Sequence, residues 1–249
     1  MKLMTHIVAG YPNEKESEKL ILAMQEAGVS YIEIQIPFSD PIADGPTIMK
    51  TSEIALKNGM TTQKAFQMLT RLRTKVKVPI LIMTYFNIAF RYGLGNFCKE
   101  ASKVGVYGLI IPDIPIDEEK CENYLHLCKK YSLHPIQVIS PITPEQRLKK
   151  ISKVASGFIY CISTYGTTGE RNKLNPKLTS YLKKVRKHIK LPLAVGFGIS
   201  SKQQAKLVAE KADIVVMGSK VINLYNESKS NKAGHVKGFL KSIVTRRHR

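Results

Sequence analysis

Short apolar, β-branched runs alternate with longer amphipathic stretches along the whole chain. The short runs predict strands over 3–9, 30–36, 79–84, 107–112, 134–139, 157–163, 191–196 and 213–217, eight in all. The stretches between them carry helix signals. Asn13 is placed to cap the first helix and Gly28 to end it, and Thr143 before Pro144 reads as an N-cap followed by proline at the first helical position. Ser200 and Ser201, each with Gln three residues later, offer a capping box for the helix after the seventh strand. This alternation predicts a parallel sheet with helical crossovers. Eight such units in 249 residues predict one (β/α)8 TIM barrel domain over 1–249, with its active site at the C-terminal ends of the strands. A doubly wound open sheet is the structural alternative. The first strand-to-helix turn, AGYPNE, lacks the GxGxxG that its dinucleotide-binding form requires.

Composition changes this picture little. No apolar run approaches the roughly 18 residues of a membrane span, and MKLMTHIVAGYP reads as a first strand, not a signal peptide. Cys98, Cys121, Cys128 and Cys161 form no CxxC pair, so reduced thiols in a cytoplasmic protein are expected, without a zinc site or disulfide framework. Of the six histidines, only His6 falls where a barrel interior can use it.

The net charge of +20 raises nucleic acid as a partner, but its distribution argues against one. In 178–189, Leu178, Tyr181, Leu182, Val185 and Ile189 form one helical stripe, leaving Lys183, Lys184, Arg186 and Lys187 on a solvated back. The segment 229–249 has seven Lys/Arg, no Asp/Glu, and the character of a frayed basic tail. No aromatic residues interleave with these charges as single-strand binders require. Steering of an anionic substrate is the better reading.

Candidate chemistry lies at the strand ends. Glu33 sits inside the second strand, where a carboxylate is costly unless paired or working. Asp40 and Asp44 follow in the loop PFSDPIADGP, Tyr85 and Asn87 follow strand three, Asp113 follows strand four, and Tyr160 and Ser163 lie in strand six. The sequences YGTTGE, GFGISS and MGSK place glycines after strands six, seven and eight, and Gly218-Ser219 opens a helix, together the makings of a phosphate site. No lysine stands at a strand end to form a Schiff base, and no His/Asp/Glu cluster suggests a metal. General acid/base work by carboxylates remains, with Glu33 and Asp44 as the pair. Asp40 reads as a turn former or interface residue ahead of a catalytic one, and Tyr160 equally as core. The loops 37–46 and 163–174 read as mobile lids.

The motifs EIQIPFSDPIADGPTI, MTYFN, PDIP, STYGTTGE, GFGISS and MGSKVI, in this order across nearly the whole chain, resemble the tryptophan synthase alpha subunit family. The resemblance implies a phosphate-binding barrel that cleaves indole-3-glycerol phosphate to indole and glyceraldehyde 3-phosphate, without a cofactor of its own. Indole then passes to a beta subunit that carries pyridoxal phosphate and makes tryptophan, in an alpha2-beta2 complex. It implies that Glu33 is the general acid/base, that Asp44 holds the indole N–H, and that Tyr160 stands beside the acid/base. It further implies that Gly169, Gly198, Gly218 and Ser219 bind the phosphate, and that Asp40, Pro41, Asn87 and Pro115 meet the beta partner. Gln35 stands where the family usually has glycine, His6 where an aromatic residue commonly lines the indole pocket, and Thr167 where valine is usual. The family's additional helix before the first strand is not expected here, so another element, such as the C-terminal segment, is expected to cover the bottom of the barrel. Two alternatives stay open: a subunit acting mainly as an allosteric activator of its partner with weak lyase activity, and another phosphosugar isomerase or epimerase barrel.

Overall fold

Eight short runs of apolar residues form strands in the computed structural model, which describes residues 1–162, 177–196 and 198–244. They are β1 (Lys2–Val8), β2 (Tyr31–Gln35), β3 (Ile80–Met83), β4 (Gly108–Ile110), β5 (His134–Ile139), β6 (Ile159–Ile162), β7 (Leu193–Gly196) and β8 (Ile214–Met217). All pair in parallel with their sequence neighbours, and β8 returns to β1 through Lys2 opposite Ile214, closing the barrel. The helices are α1 (Glu14–Glu26), α2 (Pro46–Lys57), α3 (Thr62–Leu72), α4 (Phe86–Tyr92), α5 (Leu94–Lys103), α6 (Glu119–Glu122), α7 (Tyr124–Lys130), α8 (Glu145–Val154), α9 (Leu178–His188), α10 (Lys202–Ala209), α11 (Ser219–Glu227) and α12 (Lys232–Ile243). None is long and apolar enough to cross a membrane.

The local signals mostly act as expected. The Asn13 side chain accepts the Glu16 amide at 3.0 Å, and Gly28 follows the end of α1 with φ of 87°. Ser201 caps α10 by accepting the Gln204 amide at 3.2 Å, while the Gln204 side chain reaches back to the Ser200 amide at 2.9 Å. Thr143 corrects the reading. Pro144 is itself the flanking residue of α8, which begins at Glu145, and the Thr143 hydroxyl instead accepts the Ser140 amide at 3.0 Å to tighten the preceding loop.

Side chains alternate between two cores because successive strand residues point to opposite faces. Leu3, Ile7, Ile32, Ile34, Ile82, Leu109, Ile139, Ile159, Val195 and Val215 pack outward under the helices. Met4, Leu81, Met83, Ile110, Ile136, Phe158, Ala194, Ile214 and Val216 fill the inside. Burial on both faces explains why the strands read as continuous apolar runs. On α9 the expected stripe of Leu178, Tyr181, Leu182 and Val185 is buried against this shell.

Two expectations for the C-terminal segment are corrected. Residues 232–243 are no frayed tail: Val236, Leu240 and Ile243 of α12 are buried, so burial of this apolar face offsets the basic composition. Nor does α12 plug the barrel. It packs among α1, α10 and α11. At the N-terminal ends of the strands the interior is filled instead by rings: Tyr31 lies 5.7 Å from Tyr107 and 5.6 Å from Phe158, and Tyr107 lies 4.4 Å from His134. The last residues, 245–249, lie outside the described ones.

Candidate active site

At the other end of the interior the inward positions turn polar. β1 and β2 pair in a register that sets His6 opposite Glu33, and both side chains are buried. The imidazole Nδ1 lies 3.1 Å from Glu33 Oε1. Two residues further along β2, Gln35 also points inward, and the loop after the strand carries Asp44 back over it. The Gln35 amide nitrogen donates to Asp44 Oδ2 at 2.6 Å, with neither side chain more than 4% exposed. That return is built locally: Gly45 flanks α2, Pro46 begins it, and the Ala43 amide donates to the Tyr85 hydroxyl at 3.1 Å. The same hydroxyl lies against the Asp44 carboxylate.

The electrostatics follow from this packing. Burial works against a charged His6, but the Glu33 carboxylate and, more weakly, Asp44 outweigh it, so the imidazole pKa is raised above its ordinary value. Burial raises the Asp44 pKa, against the lowering effect of the Gln35 hydrogen bond and of His6. Tyr160 and Tyr85 are held protonated, chiefly by burial and then by the negative carboxylates beside them. Three buried polar atoms, Glu33 Oε2, His6 Nε2 and Gln35 Oε1, have no hydrogen-bond partner among the described residues. Buried polar atoms are costly when unsatisfied, and their clustering at one end of a barrel marks a place for a polar ligand.

A glycine makes room for this cluster. A Cβ on Gly196 would come within 2.7 Å of the Tyr160 hydroxyl, so a bare backbone on β7 is what admits that ring. A Cβ on Gly218 would meet the His6 side chain at 3.4 Å. Gly218 also precedes α11, whose first residue, Ser219, is buried, so the helix N-terminus opens beside His6. Gly196 pairs with Val216, which puts the residues after β7 and β8, including Gly198 with φ of 50°, on adjacent loops. Such a pair of loops suits an anion.

The predicted site residues thus separate into groups. Glu33, Asp44 and Tyr160 come together, as their electrostatic coupling shows, and Gly218 and Ser219 stand beside them. Gly169, Thr167 and the loop 163–174 lie outside the described residues. Asp40, Asn87 and Pro115 are exposed, whereas Pro41 is buried. Ile42 beside it is 77% exposed. Asp113 serves the fold: both its oxygens accept the Phe86 amide, at 2.9 and 3.0 Å, and so hold the start of α4. Sequence reasoning did not select Gly196, and it named Tyr85, His6 and Gln35 without giving them a part in the chemistry. Inward parity on β1 and β2 was the available signal for the last two. The described residues contain no group of three His, Cys, Asp or Glu placed to hold a metal.

The fold recurs in known proteins. The family profile described as tryptophan synthase alpha chain matches residues 1–246. The tryptophan synthase alpha chain of Petrotoga mobilis is 43% identical over 244 residues, covering 97% of this chain and 94% of that relative. Among solved structures, a tryptophan synthase chain of Mycobacterium tuberculosis superposes with a TM-score of 0.89 at 28% identity, covering 97% of this chain and 90% of that one. A tryptophan synthase alpha-subunit of Pyrococcus furiosus gives 0.88 at 31% identity, with 97% of each chain covered. With its profile matched over nearly the full length and the barrel reproduced, the chain belongs to the tryptophan synthase alpha chain family.

Proposed function

We propose that this chain is the lyase of a tryptophan synthase, cleaving indole-3-glycerol phosphate to indole and glyceraldehyde 3-phosphate, with residues 1–249 acting as one domain. The observation that carries the reading is the presence of two buried carboxylates at the barrel mouth, one of which, Glu33, keeps an oxygen without a partner among the described residues. Protonating indole C3 turns the ring into an electron sink, since the ring nitrogen then carries an iminium. Removing the proton of the adjacent glycerol hydroxyl drives its electrons into a carbonyl and breaks the carbon–carbon bond, and the pair returns to the ring as indole. The hydroxyl proton replaces the one delivered to C3, so the balance closes with no cofactor in this chain. Glu33 Oε2 is the group that gives and takes these protons.

Asp44 fits the N–H that becomes positive in the intermediate, as a carboxylate in a site shielded from water. Tyr160, held protonated between Glu33 and Asp44, offers a hydroxyl beside the acid/base. Gly198, Gly218 and Ser219, joined by Gly169, would hold the phosphate through backbone amides and the α11 N-terminus. The exposed Asp40, Asn87 and Pro115 share the C-terminal side of the barrel with the exposed apolar Ile42, Phe90 and Ile142. Apolar residues rimmed by polar ones suit a protein partner. We assign that face to a beta subunit carrying pyridoxal phosphate, in an alpha2-beta2 complex that receives the indole. Four free thiols accord with a reducing, cytoplasmic compartment.

The test is indole release from indole-3-glycerol phosphate with the beta subunit present, wild type against Glu33→Gln. A loss of about 10²- to 10⁴-fold with the beta reaction still activated is the expected result. A wild type that activates the partner yet releases no indole would replace the lyase with a purely regulatory subunit.

A further inference from the structure

Each carboxylate at the mouth is held at one oxygen by a neutral or cationic donor from the first two strands. His6 Nδ1 meets Glu33 Oε1 at 3.1 Å, and the Gln35 amide meets Asp44 Oδ2 at 2.6 Å. The strand register fixes the first pair, because His6 and Glu33 are direct cross-strand partners with both side chains turned inward. Gly218 lies next to the imidazole, where a Cβ would come to 3.4 Å from the His6 side chain. The terminal torsion of a Glu side chain is broad and roughly two-fold, so an unheld carboxylate would present either oxygen in many orientations. Binding Oε1 leaves Oε2, the unpartnered atom, as the one that faces a substrate.

We propose that His6 and Gln35 are positioning residues of this reaction: His6 fixes the Glu33 carboxylate so that Oε2 alone exchanges protons, and Gln35 fixes the Asp44 carboxylate over the pocket. The inference rests on the lyase reading. Misplacing a reacting group by about 1 Å can cost on the order of 10²-fold in rate, which sets the size of effect to look for.

The test compares kcat and KM for indole release, with the beta subunit present, in full-length wild type, Glu33→Gln, His6→Phe, His6→Asn and Gln35→Leu. Phe keeps a ring at position 6 but has no donor, whereas the Asn amide can donate from close to the place of Nδ1. His6→Phe is expected to lower kcat about 10²-fold with KM within about twofold, and His6→Asn to recover most of that loss. His6→Leu serves as the donor-less variant if Phe overpacks against Gly218 and the chain fails to fold. For Gln35 the readout is the pH profile. Asp44 is faced by His6 of β1, Glu33 of β2, Tyr85 after β3 and Tyr160 of β6. Removing the Gln35 hydrogen bond, which lowers the Asp44 pKa, should move the acid limb of kcat/KM to higher pH in Gln35→Leu. An active wild type silenced by Glu33→Gln, with His6→Phe retaining kcat or Gln35→Leu retaining the wild-type acid limb, overturns the positioning roles and leaves the lyase reading standing. A loss in His6→Phe that His6→Asn does not recover also overturns them. A wild type that releases no indole overturns both readings.

Discussion

The two ends of the barrel interior are built on the same inward-facing positions and differ in what fills them. At the N-terminal end, Tyr31, Tyr107, Phe158 and His134 stack ring against ring, and the His134 ring completes its bonding with the Ser156 hydroxyl at 2.8 Å. At the C-terminal end the corresponding space holds His6, Glu33, Gln35, Asp44 and Tyr160, and Glu33 Oε2, His6 Nε2 and Gln35 Oε1 have no partner among the described residues. One end spends its volume on dispersion and apolar burial, each large ring contributing roughly 2–3 kcal/mol. The other accepts desolvated polar groups, whose burial is costly and is only partly offset by contacts such as that of His6 with Glu33. Stability and chemistry are therefore separable along one axis of the fold.

Substitutions should separate them. The largest effect is expected from Phe158→Ala, which opens a cavity in the aromatic end and should cost about 3–5 kcal/mol in chemical unfolding while leaving kcat per folded molecule unchanged. A fall in kcat alongside stability would show that the two ends are coupled. At the mouth, Asp44→Asn keeps an acceptor for Gln35 but removes the charge, and about a 10²-fold loss of kcat is expected. Its effect on stability has the opposite sign to that at Phe158. Because the folded Asp44 pKa lies above the unfolded one, burying this charge costs stability at pH values above the folded pKa, and that cost fades as pH falls through it. At pH 7 the Asn variant should therefore melt at the same temperature as wild type or higher.

A smaller and mixed effect belongs to Gly196→Ala, whose methyl would press on the Tyr160 hydroxyl at 2.7 Å. About a 10-fold loss of kcat with a destabilisation of about 1–3 kcal/mol is expected, and normal activity would remove Tyr160 from the site. The smallest effect is a pH dependence of stability. The folded His6 pKa is raised above its unfolded value, so the stability that its pairing with Glu33 contributes is fully present below about pH 6.5 and lost as pH rises through the folded value. The melting-temperature gap between wild type and His6→Phe should thus be larger at pH 6 than at pH 9, and a gap that widens with pH would contradict the pairing.

Much of this could be read before any coordinates. Glu33 was conspicuous because a carboxylate interrupts an apolar strand, and strand parity then turned it inward. Asp44 was legible from the loop motif around it. Less visible were residues whose roles come from partners on other strands. Gln35 looks like a second polar intruder until Asp44 is seen to accept its amide, and Gly196 looks like any strand-end glycine until the Tyr160 ring lies across it.

By itself the sequence determined the eight alternating units, the faces of the strands and the residue types available at their ends, because these depend on local periodicity and on side-chain chemistry. Only the tertiary structure decided which of those residues meet. The register that puts His6 against Glu33, the loop return that brings Asp44 over Gln35, and the aromatic packing of Tyr31, Tyr107 and Phe158 all join positions distant in the chain. Such contacts arise from closing a twisted sheet on itself, a global constraint that no local window of residues contains.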